Sequence, residues 1–176
     1  LANGYLKYKK NNYAIDTYKK GRKLLKRTYP FNFELAQVHY SDGNIKAMIN
    51  EYLDLLEYQE SYIQSVQNAL QTTLSSDDDG EQKKLLKTLL IDKVQKKAEK
   101  KVFSEMLIWV YIQNKNFGGA FIQAKAIDKR EKELGKRIHA LANLCLENKD
   151  YKNAIKCYQY LIDKGPENYY YLSSKM

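Results

Sequence analysis

The chain is 176 residues long and 44% hydrophobic, with 30 Lys and Arg against 21 Asp and Glu and a formal net charge of +9. That is enough apolar material for a substantial core, yet no run approaches the roughly 18 apolar residues of a membrane-crossing helix, and no charged-apolar-small leader opens the sequence. Two prolines, eight glycines, abundant Leu, Lys, Glu and Gln, and the lack of Val/Thr-rich alternation favour helix over strand, and an all-helical protein is expected.

The first predicted elements are the tail of a helix over 1–8 and its partner from Tyr13 to Thr28, ended by Pro30, which cannot continue a helix. Leu1-Ala2-Asn3 recurs as Leu141-Ala142-Asn143, and the match runs on through Leu6/Leu146, Lys9/Lys149, Ala14/Ala154, Ile15/Ile155 and Tyr18/Tyr158. A second pair follows 34 residues downstream: Phe33 to Ser41, a turn at Asp42-Gly43-Asn44, then Ile45 to about Glu60, with Met48, Ile49 and Tyr52 in register with Ala14, Ile15 and Tyr18. Gly43 suits the left-handed residue that closes a helix, and Asn44 suits the cap of the next.

The third pair is predicted at Ser61 to Leu74 and about Glu81 to Lys100, with SSDDDG between them, where four residues beyond the period lengthen the turn. Leu85, Leu86, Leu89, Leu90, Val94 and Ala98 form the apolar stripe of its second helix. A fourth pair over about Val102 to Lys132 opens with a helix that is apolar nearly all round, from Phe103 to Ile112, and is therefore buried on more than one side. A fifth runs from about Lys136 to Lys164, where Gly165-Pro166 stops it. Asn168 to Met176 reads as the start of a sixth.

Within the last two pairs, Leu141, Ala154, Ile155 and Leu161 fall 34 residues after Leu107, Ala120, Phe121 and Ile127. A 34-residue period with two helices per unit resembles the tetratricopeptide repeat. The last unit carries the likeness best, with Leu141, Ala142, Asp150-Tyr151, Ala154-Ile155, Tyr158, Leu161 and Pro166 where that family's pattern places them. Ile108 in place of a small residue and Lys132 in place of a proline depart from it. The resemblance implies one all-α domain over 1–176, a right-handed superhelix of stacked antiparallel helix pairs. Its units are about 1–28, 29–60, 61–100, 101–134 and 135–168, with a partial sixth over 169–176. Because both ends fall inside units, the chain is expected to be an internal segment of a longer array, and its open ends are expected to self-associate.

No chemistry-bearing constellation emerges. His39 and His139 lie in separate units, too far apart to converge on a metal. Asp77-Asp78-Asp79-Gly80 is similar to a calcium loop, but Ser75 stands at the first ligand position and Leu86 where the bidentate glutamate belongs. Gly118-Gly119 lacks the spacing and Lys-Ser/Thr of a phosphate loop. Cys145 and Cys157 read as buried apolar side chains, expected roughly 9 Å apart along antiparallel helices and therefore unbonded. No enzyme activity and no cofactor are expected.

The resemblance implies a scaffold that holds a protein or peptide on the concave face lined by first helices: Phe33, Gln37, Tyr40, Gln67, Gln71, Trp109, Gln113, His139 and Asn143. This face is amide-rich with aromatic anchors, suiting an extended peptide. The Lys/Asn/Arg clamp with which some family members grip chaperone C-terminal carboxylates is absent, since its positions read, for example, Phe33, Glu34 and Gln37, or Glu105, Met106 and Trp109. The alternatives are a regulatory arm of a larger protein and a nucleic-acid-binding repeat. The latter rests on charge: residues 1–40 carry +7, 41–80 carry −7, 81–103 carry +5 and the rest +4. Against it, 26 Lys and four Arg look like a lysine-rich solvated surface, Arg being the better bidentate phosphate ligand.

Overall fold

The computed structural model describes residues 1–25, 29–75 and 80–175, and every regular element among them is helical. In chain order these are α1 (Ala2–Lys7), α2 (Asn11–Leu25), α3 (Asn32–Ser41), α4 (Ile45–Tyr58), a 3₁₀ turn (Glu60–Tyr62), α5 (Ile63–Thr73), α6 (Glu81–Lys96), α7 (Lys101–Gln113), α8 (Phe117–Glu131), α9 (Lys136–Glu147), α10 (Tyr151–Ile162) and α11 (Tyr171–Lys175). Ten helices and a short eleventh among the described residues match the expected order. The acidic run Asp77 to Asp79 lies outside the described residues. The second helix of the third pair stops at Lys96 rather than Lys100, and Lys100 instead takes an extended conformation to start α7.

Helices adjacent in sequence pack as pairs, and one turn design makes four of those pairs. The N–H groups of Lys10, Asn44, Asn116 and Asp150 each donate to the carbonyl five residues back, at 2.8–2.9 Å, and those of Lys9, Gly43, Lys115 and Lys149 to the carbonyl three residues back, at 2.9–3.0 Å. These are Schellman closures, which need a left-handed residue. Lys9, Gly43, Lys115 and Lys149 supply it with φ between +51° and +71°. The next residue then caps the following helix: Asn44 accepts from the Ala47 N–H, Asn116 from Gly119 and Asp150 from Asn153. Recurrence at residues 9, 43, 115 and 149 carries the 34-residue period and its four-residue insertion into three dimensions.

The same register holds inside. Ala14, Met48, Ala120 and Ala154 are all at most 1% exposed, and Ala2, Ala36, Ile108 and Ala142 at most 6%. Small side chains there let paired helices approach closely, and Met48 and Ile108 fill the same positions with more bulk. Tyr18 donates to Asn3 Oδ1 at 2.7 Å, and Tyr158 donates to Asn143 Oδ1 at 2.7 Å, so the first and fifth pairs share even this side-chain bond.

The chain divides into two compact units, Leu1–Lys93 and Val94–Met176, with the division inside α6. In the first, Ala2, Ala14, Tyr18, Leu35 and Val38 join α1, α2 and α3. Glu51 on α4 binds Arg22 of α2 at 2.6 Å and the buried Asn32 of α3 at 2.8 Å. Lys93 reaches from α6 to Asp54 and Glu57 on α4. The third pair differs from the others, because α5 and α6 lack the close backbone approach of α3 with α4. In the second unit, Ile108, Phe117, Ala120, Ala124, Ile127, Leu141 and Leu161 belong to one core drawn from α7 to α10.

Cys145 and Cys157 are buried and unbonded by disulfide, as expected. Burial, above all, raises the two thiols to about 11 and about 12.

Candidate functional site

On α3, the buried residues Leu35, Ala36 and Val38 set the inner face, which leaves Phe33, Gln37 and Tyr40 at i, i+4 and i+7 along an accessible one. These three line a cleft of about 610 Å³ whose other walls come from Tyr52 on α4 and from Asn68, Ala69, Thr72 and Thr73 on α5. Aromatic packing fixes its floor: the Phe33 ring stands edge-on to Tyr52 at 5.7 Å and to Tyr62 at 6.1 Å. Tyr52 is 6% exposed, and burial raises its phenol pKa, so it stays a neutral donor and acceptor.

Polar groups on the α5 wall are oriented by their own helix. Thr72 and Thr73 donate to the carbonyls of Asn68 and Ala69, which commits each hydroxyl proton and leaves its oxygen as an acceptor. Asn68 accepts at Oδ1 from Gln64, so its amide protons are the groups it can still offer. The cleft therefore presents aromatic surface beside amides and hydroxyls. Glu34 is the single charged residue among those lining it.

Glu34 was read in the sequence only as a departure from a carboxylate clamp, and its setting is specific. Its Oε1 accepts from the Tyr29 hydroxyl at 2.7 Å, a bond that is the main cause of raising Tyr29 to about 12. Its Oε2 is buried and finds no hydrogen-bond donor among the described residues. Glu34 also lines a neighbouring hollow of about 360 Å³ formed with Asn3, Thr17, Tyr18 and Phe31, and is again the single charged lining residue.

Of the nine residues expected on one face, five lie in the first unit and four in the second. Phe33, Gln37 and Tyr40 line the first unit's cleft; Gln67 and Gln71 do not. The buried stripe of α5 is Val66, Leu70 and the adjoining Leu74. Counting about 100° per residue from Val66, Asn68, Ala69, Thr72 and Thr73 fall at about 200° to 340°, whereas Gln67 and Gln71 fall at about 100° to 140°. Both flanks are polar in sequence, so periodicity alone gave no means of choosing between them.

In the second unit, Trp109 is half-buried and Gln113 exposed on α7. His139 stacks on Tyr170 at 4.6 Å and meets Tyr158 edge-on, while Asn143 accepts from that same tyrosine. His139 and Asn143 are thus engaged within their own unit. His39 lies on α3, and no group of three His, Cys, Asp or Glu suited to a metal occurs among the described residues. No described helix is long and apolar enough to cross a membrane.

A strong feature that sequence reasoning missed is Asp128. Fully buried, it accepts from the Gly135 N–H at 2.6 Å, the Tyr160 hydroxyl at 2.8 Å and Lys164 Nζ at 2.7 Å, tying α8 to the start of α9 and to α10. Its partners lie 7 to 36 residues away in sequence, and no short motif announces them. All its donors belong to the scaffold, which makes it a structural carboxylate. No family model matches the chain, and no curated protein matches it in sequence.

Proposed function

We propose that the chain is an interaction module of tetratricopeptide-like helical hairpins, of the right-handed superhelical kind, and that it holds an extended segment of a partner protein without catalysing a reaction. The observation that carries this reading is the cleft between α3, α4 and α5, where Phe33, Tyr40 and Tyr52 supply apolar surface and Gln37, Asn68, Thr72 and Thr73 supply donors and acceptors. An extended peptide needs both: pockets for alternate side chains and polar groups for a backbone that has lost its water. The 34-residue recurrence of the turns supports the repeat class.

Selection of short random peptides on the full chain tests this. Peptides that bind should lose tenfold or more in affinity on Tyr40→Ala or Gln37→Ala, with the fold unchanged because both side chains are exposed. Failure of any peptide to enrich, or retention of full affinity by both variants, would overturn the reading.

A further inference from the structure

We infer that the first unit's cleft is built for a peptide segment that places one basic side chain, arginine in preference to lysine, against Glu34. This deepens the reading proposed above and rests on it. A buried carboxylate oxygen without a donor is costly, because it has given up its water and received nothing in return. Among the described residues, Glu34 Oε2 is in that position, while Oε1 is held by Tyr29. The Tyr29 bond restrains rotation of the carboxylate, and Glu34 lines the cleft.

The surroundings select the kind of donor. Phe33, Tyr40 and Tyr52 supply aromatic surface of a kind that favours a cation, and no Lys or Arg among the lining residues competes for the carboxylate. Guanidinium is planar, weakly hydrated and able to stack on a ring while donating to an oxygen, which suits it to an aromatic cleft better than a strongly hydrated ammonium. A metal ion is a poor fit, since it would find one carboxylate here and no second acidic, His or Cys lining residue. A free small amine would leave Gln37, Asn68, Thr72 and Thr73 unused, whereas a peptide backbone on either side of the basic side chain engages them. An acidic segment is excluded by like charge at Glu34.

The peptides selected on the wild-type chain carry the test. They should share a basic residue at one position, arginine more often than lysine, and replacing that arginine by citrulline, which keeps the shape and removes the charge, should weaken binding at least about tenfold. On Glu34→Gln, which retains an acceptor for Tyr29, the arginine and citrulline peptides should bind alike. If peptides enrich and depend on Tyr40 but carry no common basic residue, or if citrulline binds as well as arginine, this inference fails and the peptide-binding reading stands. If no peptide enriches, both fail. The citrulline comparison uses the unaltered protein, so instability of the Glu34 variant cannot blur the outcome.

Discussion

Asp128 shows how one side chain can hold three helices. Burial by itself would raise its pKa, but the hydrogen bonds from Lys164, Tyr160 and the Gly135 N–H outweigh that effect and hold the carboxyl below its ordinary range. A carboxyl whose folded pKa is depressed contributes stability that is complete above its unfolded value of about 3.9 and is lost as pH falls through the folded value. Asp128→Ala should therefore cost about 3 kcal/mol near neutral pH, read by urea denaturation, because it strands three donors. Below about pH 4 the gap between variant and wild type should shrink. A gap that stays constant down to pH 2.5 would mean that the carboxylate charge is unimportant. Trp109 offers a second residue-scale test. Being half-buried rather than enclosed, its truncation to Ala should cost about 1–2 kcal/mol, short of the roughly 3–5 kcal/mol of a fully buried large aromatic. A loss in that higher range would place it in the core.

Among the elements, the repeated turn is the feature whose energetics are easiest to isolate. Three of its four left-handed positions are lysines, and an L-residue there bears a steric cost of roughly 1–2 kcal/mol that glycine escapes. Glycine recovers less than that, since it also loses more backbone freedom on folding. Lys149→Gly should thus stabilise the chain by about 0.5–1 kcal/mol, and Gly43→Ala should destabilise it. Loss of stability on Lys149→Gly would show that the lysine makes a compensating contact. The adjoining caps act on the same turn: Asn116→Ala removes the acceptor of the Gly119 N–H and should cost about 1 kcal/mol by thermal or urea unfolding.

At the scale of the whole molecule, the net charge of +9 invites a nucleic-acid partner, but its setting argues otherwise. Arg22, Arg130 and Arg137 are each paired within the protein: Arg22 with Glu51, Arg130 with Glu131, and Arg137 with Glu105 and Glu133. Guanidinium groups occupied in this way are not presented to phosphate. Single-stranded RNA should accordingly bind no tighter than the non-specific range of about 10⁻⁴–10⁻⁶ M at physiological salt, measured by fluorescence anisotropy. Nanomolar binding with a steep salt dependence would restore the nucleic-acid reading.

Helix content, pairing order and the 34-residue register were legible from the sequence because each depends on local patterns: apolar spacing, a scarcity of Pro and Gly, and the turn residues around Gly43 and Asn44. Repetition amplified those patterns, so that Asn3 and Tyr18 could be matched to Asn143 and Tyr158 before their shared hydrogen bond was seen. Tertiary structure decided the rest. Which polar flank of α5 faces α3 depends on how α5 settles beside α4, and two polar flanks look alike in sequence. Asp128 and Glu34 owe their character to groups brought from other helices or folded back from a turn, and a carboxylate carries no mark in sequence of whether its oxygens will be satisfied, buried or both.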